Sequence, residues 1–287
     1  MRFFTYLASS ELCVGVLAGA DTFVQLPFKS LLDLIAAGDA GLKTAREALE
    51  RGPRASLAGI RVAAPIPEPR RNIFCLGWNY AEHSREAAAT RGKLEPKALP
   101  TRPIFFTKAT TSVLAPEAAI PAHLGVTAQL DWEVELGVVI GKGGLDIPRE
   151  RAMEHVFGYT VINDVSARDV QTGHGGQFFK GKSLDGTCPM GPWLVTADEV
   201  PDPHALRLTC KVNGVIKQAG SSSDMIFNVP ATVEWLSQGM TLLPGDIIAT
   251  GTPAGVGFAR VPPEFLKPGD VVECEVEGLG TLRNPVV

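Results

Sequence analysis

The chain has 287 residues, 45 % of them hydrophobic, a formal net charge of −4 and a pI near 5.8. That length and apolar content support one large domain, or one with a small companion. The lack of a basic bias argues against nucleic acid or an anionic membrane as partner, and no window approaches the roughly 18 apolar residues of a membrane helix. Five cysteines are scattered with no CxxC pair. They read as thiols of a reducing cytosol rather than a disulfide framework or zinc site, so a cytoplasmic location is expected.

From the first residue, MRFFTYLASSELCVGVLAG has its apolar run broken by Glu11 and reads as strands and a turn rather than a signal peptide. SLLDLIAAG predicts a helix with Ser30 as N-cap and Gly38 as stop, and AGLKTAREALERGP a second helix ending at Gly52-Pro53. The proline-rich AAPIPEPRR is stiff and extended. A boundary is placed there, giving a small α+β domain over residues 1–66 and a larger domain over residues 67–287.

The larger domain opens with the strand NIFCLG and a short helix in WNYAEHSREAAATRG. KLEPKALPTRP follows, polar and proline-broken in the manner of an active-site lid. Strands are expected at IFFTK, within residues 130–144 and at VFGYTVIND. Asn213-Gly214 predicts a type I′ hairpin in TCKVNGVIKQ. Pro-Gly-Asp turns precede strands in LPGDIIATGTPAGVG and LKPGDVVECEVEGLG. With 30 Gly and 22 Pro, the expected class is α+β, mainly β.

In LDWEVELGVVIGKGG, strand alternation puts Asp131, Glu133 and Glu135 on one face and Trp132, Val134 and Leu136 on the other. Such acids need either solvent or a cation. Asp164, at the end of an apolar strand, would complete with Glu133 and Glu135 an all-oxygen site suited to Mg²⁺ or Mn²⁺. His83 and Glu86 are three apart, so on a helix they form either an oriented general base or a surface pair. Arg168, Gln171 and Lys182 follow Asp164 and either serve an anion or decorate the surface. His174 lies in the glycine-rich QTGHGGQ, His123, His155 and His204 have no cluster around them, and Cys188 reads as a buried thiol before it reads as a nucleophile. GKGGLD and GTPAGVG lack the spacing of nucleotide motifs.

LGWNYAEHSREA, DWEVELGVVIGKG, GYTVINDVSARDVQ, FKGKSLDGTCPMGPW and LLPGDIIATGTPAGVG occur in this order. Together they resemble the fumarylacetoacetate hydrolase family, from about residue 70 to the last residue. The N-terminal segment resembles the small accessory domain of many members. The resemblance implies a mixed β-sandwich roll, a homodimer and a divalent ion, Mg²⁺ or Mn²⁺ with Ca²⁺ also accepted, on Glu133, Glu135 and Asp164. Asp131 would stand beside the ligands. By the same resemblance His83 and Glu86 form the dyad of a mobile lid, Arg168 and Gln171 orient substrate, Lys182 faces it, and Thr252 lies near its carboxylate. His174 and its paired glycines fall where members differ, so specificity does not carry over. The close His83/Glu86 spacing resembles the smaller bacterial and mitochondrial type, implied to use acylpyruvates, oxaloacetate or related 2-oxo acids.

The implied reaction is metal-dependent hydrolysis of a C–C bond in a 2,4-dioxo acid of the acylpyruvate or fumarylpyruvate type, as in aromatic catabolism. His83 would activate the water and Lys182 stabilise a pyruvate enolate. Alternatives are an oxaloacetate decarboxylase, an isomerase or hydratase of muconate-derived 2-oxo acids, and a silent binding paralogue.

Overall fold

The computed structural model describes residues 1–89 and 99–287. The part of the expected lid at residues 90–98 lies outside the described residues.

An antiparallel meander opens the chain: β1 (Arg2–Ala8), β2 (Glu11–Leu17) and β3 (Thr22–Leu26). Two helices follow, α1 (Leu31–Ala36) and α2 (Asp39–Arg51). The Ser30 side chain accepts the Asp33 N–H at the start of α1, satisfying a donor that the helix itself cannot. Short strands β4 (Arg54–Ser56) and β5 (Arg61–Ala63) lead to β6 (Ile73–Gly77), α3 (Ala81–Ala89), β7 (Ile104–Lys108) and β8 (Val113–Leu114).

The central elements are β9 (Leu130–Asp131), β10 (Val134–Ile140), β11 (Val156–Asn163), β12 (Ser166–Ala167), α4 (Arg168–Gly173), α5 (Phe179–Lys182) and β13 (Cys188–Thr196). The last third holds β14 (Arg207–Val212), β15 (Val215–Ser221), α6 (Val229–Ser237), β16 (Ile247–Ala249), β17 (Val271–Val276) and β18 (Gly280–Pro285). Asn213 and Gly214 both have positive φ, 53° and 76°, as the predicted type I′ turn between β14 and β15 demands.

A twelve-stranded mixed sheet runs β4-β3-β2-β1-β13-β11-β10-β16-β6-β7, with β5 on β1 and β8 on β13. Residues 1–66 share this sheet with the rest of the chain, because β1 pairs antiparallel with β13, Phe3 opposite Leu194. A second sheet, β15-β14-β17-β18, packs over one face. Every residue of β10 and β11 is buried. Leu136, Val138 and Ile140 enter one core with Leu208 and Val276 of the second sheet. Val139 enters the other, with Phe3 and Leu34. A strand covered on both faces explains why β10 reads as a nearly unbroken apolar run. Among the described residues, no helix is long and apolar enough to cross a membrane.

Candidate active site

The expected single strand through residues 130–140 is broken at Trp132-Glu133, with β9 pairing β12 and β10 pairing β11. The three acids therefore do not form one ladder. Asp131 turns away to accept the N–H groups of Gly257 (2.6 Å) and Phe258 (3.0 Å) and to pair with Arg168 Nε at 2.8 Å. Glu133 and Glu135 stay together. Because Val134 lies opposite Asn163, the residue following β11, Asp164, arrives beside them, its N–H on the Glu133 carbonyl at 2.9 Å.

Glu133, Glu135 and Asp164 are buried and offer oxygens that all lie within 4.8 Å of one another. Fixed cations surround this cluster. Lys182 Nζ lies 2.8 Å from Glu133 Oε2 and 2.7 Å from Asp164 Oδ2. Arg168 Nη2 is 2.7 Å from Glu133 Oε1, and Lys108 Nζ is 2.8 Å from Asp164 Oδ1. Burial pushes Glu133 up, but Lys182 and then Arg168 outweigh it and hold its carboxyl well below the usual range. Glu135 is the exception: it makes no ion pair among the described residues and accepts only the Gly251 N–H, at 2.7 Å. Burial, reinforced by the charges of Asp164 and Glu133, pushes its carboxyl well above its ordinary value. One carboxyl without an ion-pair partner among the described residues beside two that have them, all oxygen donors, is a set that a divalent cation such as Mg²⁺ or Mn²⁺ fits.

The turn before α3 is fastened by Asn79, whose side chain donates to the Phe227 and Thr250 carbonyls and accepts the Phe227 N–H. One turn into the helix, His83 Nδ1 meets Glu86 Oε1 at 2.8 Å, and Glu86 Oε2 accepts the Gly255 N–H at 2.9 Å. The imidazole is buried and stands edge-on to Phe258, with ring centroids 6.4 Å apart. A carboxylate on one ring nitrogen selects the tautomer and leaves the other nitrogen for chemistry.

Six of the expected site residues line one cavity of about 310 Å³: His83, Glu133, Arg168, Gln171, Lys182 and Thr252. Glu86, Glu135 and Asp164 stand behind them. The Arg168 guanidinium lies over the Phe258 ring, 4.4 Å from its centroid, and Nη1 donates to Gln171 Oε1 at 3.2 Å. Thr252 donates its hydroxyl to the Val134 carbonyl (2.8 Å) and accepts Gln218 Nε2 (2.7 Å), so it is held rigidly at the wall. Trp78, Phe106, Phe178 and Phe265 make the remainder largely aromatic.

His174 is exposed at the end of α4 and does not line this cavity. Cys188 is fully buried, and burial pushes its thiol up to about 12, which removes it as a nucleophile at neutral pH. Sequence reasoning missed Lys108, Gln218 and the amides of residues 251–258. The only signal for Lys108 was a lysine closing the apolar strand IFFTK.

Comparison with known proteins now adds to this geometry. Residues 72–287 match the family described as fumarylacetoacetate (FAA) hydrolase C-terminal. The chain belongs to the fumarylacetoacetate hydrolase family. Within that family it is 45 % identical over 266 residues to the oxaloacetate tautomerase YisK of Bacillus subtilis (strain 168), covering 90 % of this chain and 86 % of that protein. Among solved structures, the fumarylacetoacetate hydrolase of the psychrophilic Exiguobacterium antarcticum shares 40 % identity with a TM-score of 0.85, covering 100 % of this chain and 99 % of that one. The maleylpyruvate hydrolase of Sphingobium sp. SYK-6, solved with manganese(II) and pyruvate, shares 28 % identity with a TM-score of 0.79 over 100 % and 99 % of the two chains. The fumarylacetoacetate hydrolase family thus includes a member with a divalent ion, and here the buried Glu133, Glu135 and Asp164 could hold one.

Proposed function

We propose that this chain is a divalent-metal-dependent isomerase of a small 2-oxo acid, and that its reaction is the keto–enol tautomerisation of oxaloacetate. The relationship to an oxaloacetate tautomerase, at 45 % identity over 90 % of the chain, favours this reading over the expected C–C hydrolysis. The reading is supported most by one observation: His83, held by Glu86, and the Lys182 ammonium line the same cavity.

Converting enol to keto moves one proton, from the oxygen on C2 to C3, and breaks no carbon–carbon bond. It needs an acid–base group at C3 and positive charge at the C2 oxygen, but no attacking water. A divalent ion on Glu133, Glu135 and Asp164 would supply Lewis-acid polarisation of the 2-oxo acid. Lys182, buried and kept cationic by Asp164 and Glu133 against the opposing effect of burial, stabilises enolate charge. His83, oriented by Glu86, carries the proton to or from C3. Arg168 and Gln171 bind the substrate carboxylate, and the aromatic wall excludes water that would protonate the enolate at random.

A second reading, acylpyruvate hydrolysis, is favoured by the likeness to the maleylpyruvate hydrolase, because that reaction also releases a pyruvate-type enolate. Both are tested by following enol decay of oxaloacetate spectrophotometrically with Mg²⁺ or Mn²⁺, alongside acetylpyruvate cleavage and pyruvate release from oxaloacetate. Faster enol decay with little pyruvate release supports the tautomerase. Decay at the buffer rate together with acetylpyruvate turnover replaces it with the hydrolase.

A further inference from the structure

The segment GTPAGVGF, residues 251–258, matches no nucleotide motif, yet its backbone N–H groups serve three carboxylates. Gly251 donates to Glu135, Gly257 and Phe258 to Asp131, and Gly255 to Glu86. Glu135 and Asp131 belong to the strands of the acid cluster, whereas Glu86 belongs to α3. Gly255 is therefore where the helix bearing the dyad is fastened to the floor of the site.

Two features make that fastening specific. The Gly255 carbonyl accepts Trp132 Nε1 at 3.2 Å, and Trp132, 1 % exposed, lies between Asp131 and Glu133. One residue thus touches the dyad through its N–H and the acid strand through its C=O. Gly255 also has φ +103°, and a Cβ there would collide with the Lys217 carbonyl oxygen, so any side chain at this position strains the loop and shifts it. Beyond the Asn79 contacts that fasten the preceding turn, His83 is the one buried residue of positions 81–86.

The geometry points to Gly255 as a positioning residue for the His83–Glu86 dyad, acting through Glu86 and setting the imidazole relative to the acid strand. Its effect on rate rests on the tautomerase reading; its effect on the docking of α3 does not.

The test is amide hydrogen exchange at residues 84–86 in the full chain, for wild type, Gly255→Ala, Glu86→Ala, the double variant and Glu86→Gln, each confirmed folded. Displacement of the residue 255 N–H by the Cβ clash in Gly255→Ala, and removal of its acceptor in Glu86→Ala, should each speed exchange about tenfold. The double variant should go no further. Glu86→Gln keeps a carbonyl oxygen for the Gly255 N–H and should retain most of the protection. In tautomerisation assays, Gly255→Ala should lower kcat roughly tenfold with KM changed less than about threefold, and should have no further effect in the Glu86→Ala background. Wild-type exchange in Glu86→Ala, or additive effects in the double variant, overturns the assignment. Should Gly255→Ala not fold, Glu86→Ala against Glu86→Gln decides, and equal exchange in those two rejects the docking. Lost protection with unchanged tautomerisation leaves the docking in place and overturns the positioning role of Gly255, whereas a wild type without tautomerase activity rejects the reaction and leaves the docking standing.

Discussion

Lys108 and Asp164 form an ion pair at 2.8 Å in which both side chains have zero exposure. The ammonium also donates to the Val165 carbonyl at 3.1 Å. Lys108 thereby holds Asp164 Oδ1 and turns Oδ2 toward Glu133 and Lys182. Lys108→Met leaves a buried carboxylate short of one partner, and should destabilise the fold by about 3–5 kcal/mol. Denaturant unfolding measures this; an unchanged midpoint would show that the pair contributes nothing.

Removal of divalent ions should abolish activity, and Mg²⁺ or Mn²⁺ should restore it. Glu135→Gln replaces the carboxyl that makes no ion pair among the described residues and should weaken Mn²⁺ binding by calorimetry at least tenfold, because the cluster that could hold the ion would offer two carboxylates instead of three. Full turnover in a sample shown metal-free by elemental analysis would rule out the site.

His83→Ala should lower kcat for enol–keto conversion by ~10²–10⁴, the usual worth of a positioned acid–base group. Glu86→Gln should be milder, since the imidazole remains and loses only the charge of its partner. Lys182→Ala should slow tautomerisation and any decarboxylation alike, because both pass through an enolate. Steady-state kinetics on the three folded variants checks the assignment, and an unaffected kcat in His83→Ala would move the proton transfer elsewhere.

Acid should weaken α6 at one identifiable point. His204 Nε2 accepts the Val229 N–H at 3.2 Å, the first residue of the helix, which requires a neutral ring. Burial lowers its pKa, against the smaller opposing effect of Asp202. The unfolded chain therefore takes up this proton at higher pH than the folded one. The stabilisation is complete above the ordinary histidine value and is lost as pH falls from there through the depressed folded value. Between pH 7.5 and 5 (roughly the range around an ordinary histidine), wild type should lose more stability than His204→Gln. Parallel unfolding midpoints for the two would refute this.

Local chemistry was legible without coordinates wherever neighbours in the chain decide conformation. Ser30 caps α1 and Asn213-Gly214 turns the β14–β15 hairpin, because each needs only its own backbone and a few residues around it. Glu133, Glu135 and Asp164 stood out as acids in or beside apolar strands, which need either solvent or a cation, and the structure buries the three together. His83 and Glu86 were paired by helical spacing alone.

The tertiary structure decided what depends on distant partners. Asp131 shares the spacing of Glu133 and Glu135, yet the break at Trp132-Glu133 hands it to Arg168 and the 257–258 amides. Lys108 reaches Asp164 across 56 residues and Gly255 reaches Glu86 across 169. The pairing of β1 with β13, which joins residues 1–66 to the main sheet, spans a still longer separation. A buried carboxylate requires donors, but its own segment does not say which strand, loop or helix will bring them. That is settled by which sheet edges meet when the apolar faces close, and here closure placed a lysine and a glycine loop where periodicity shows only a strand end and a turn.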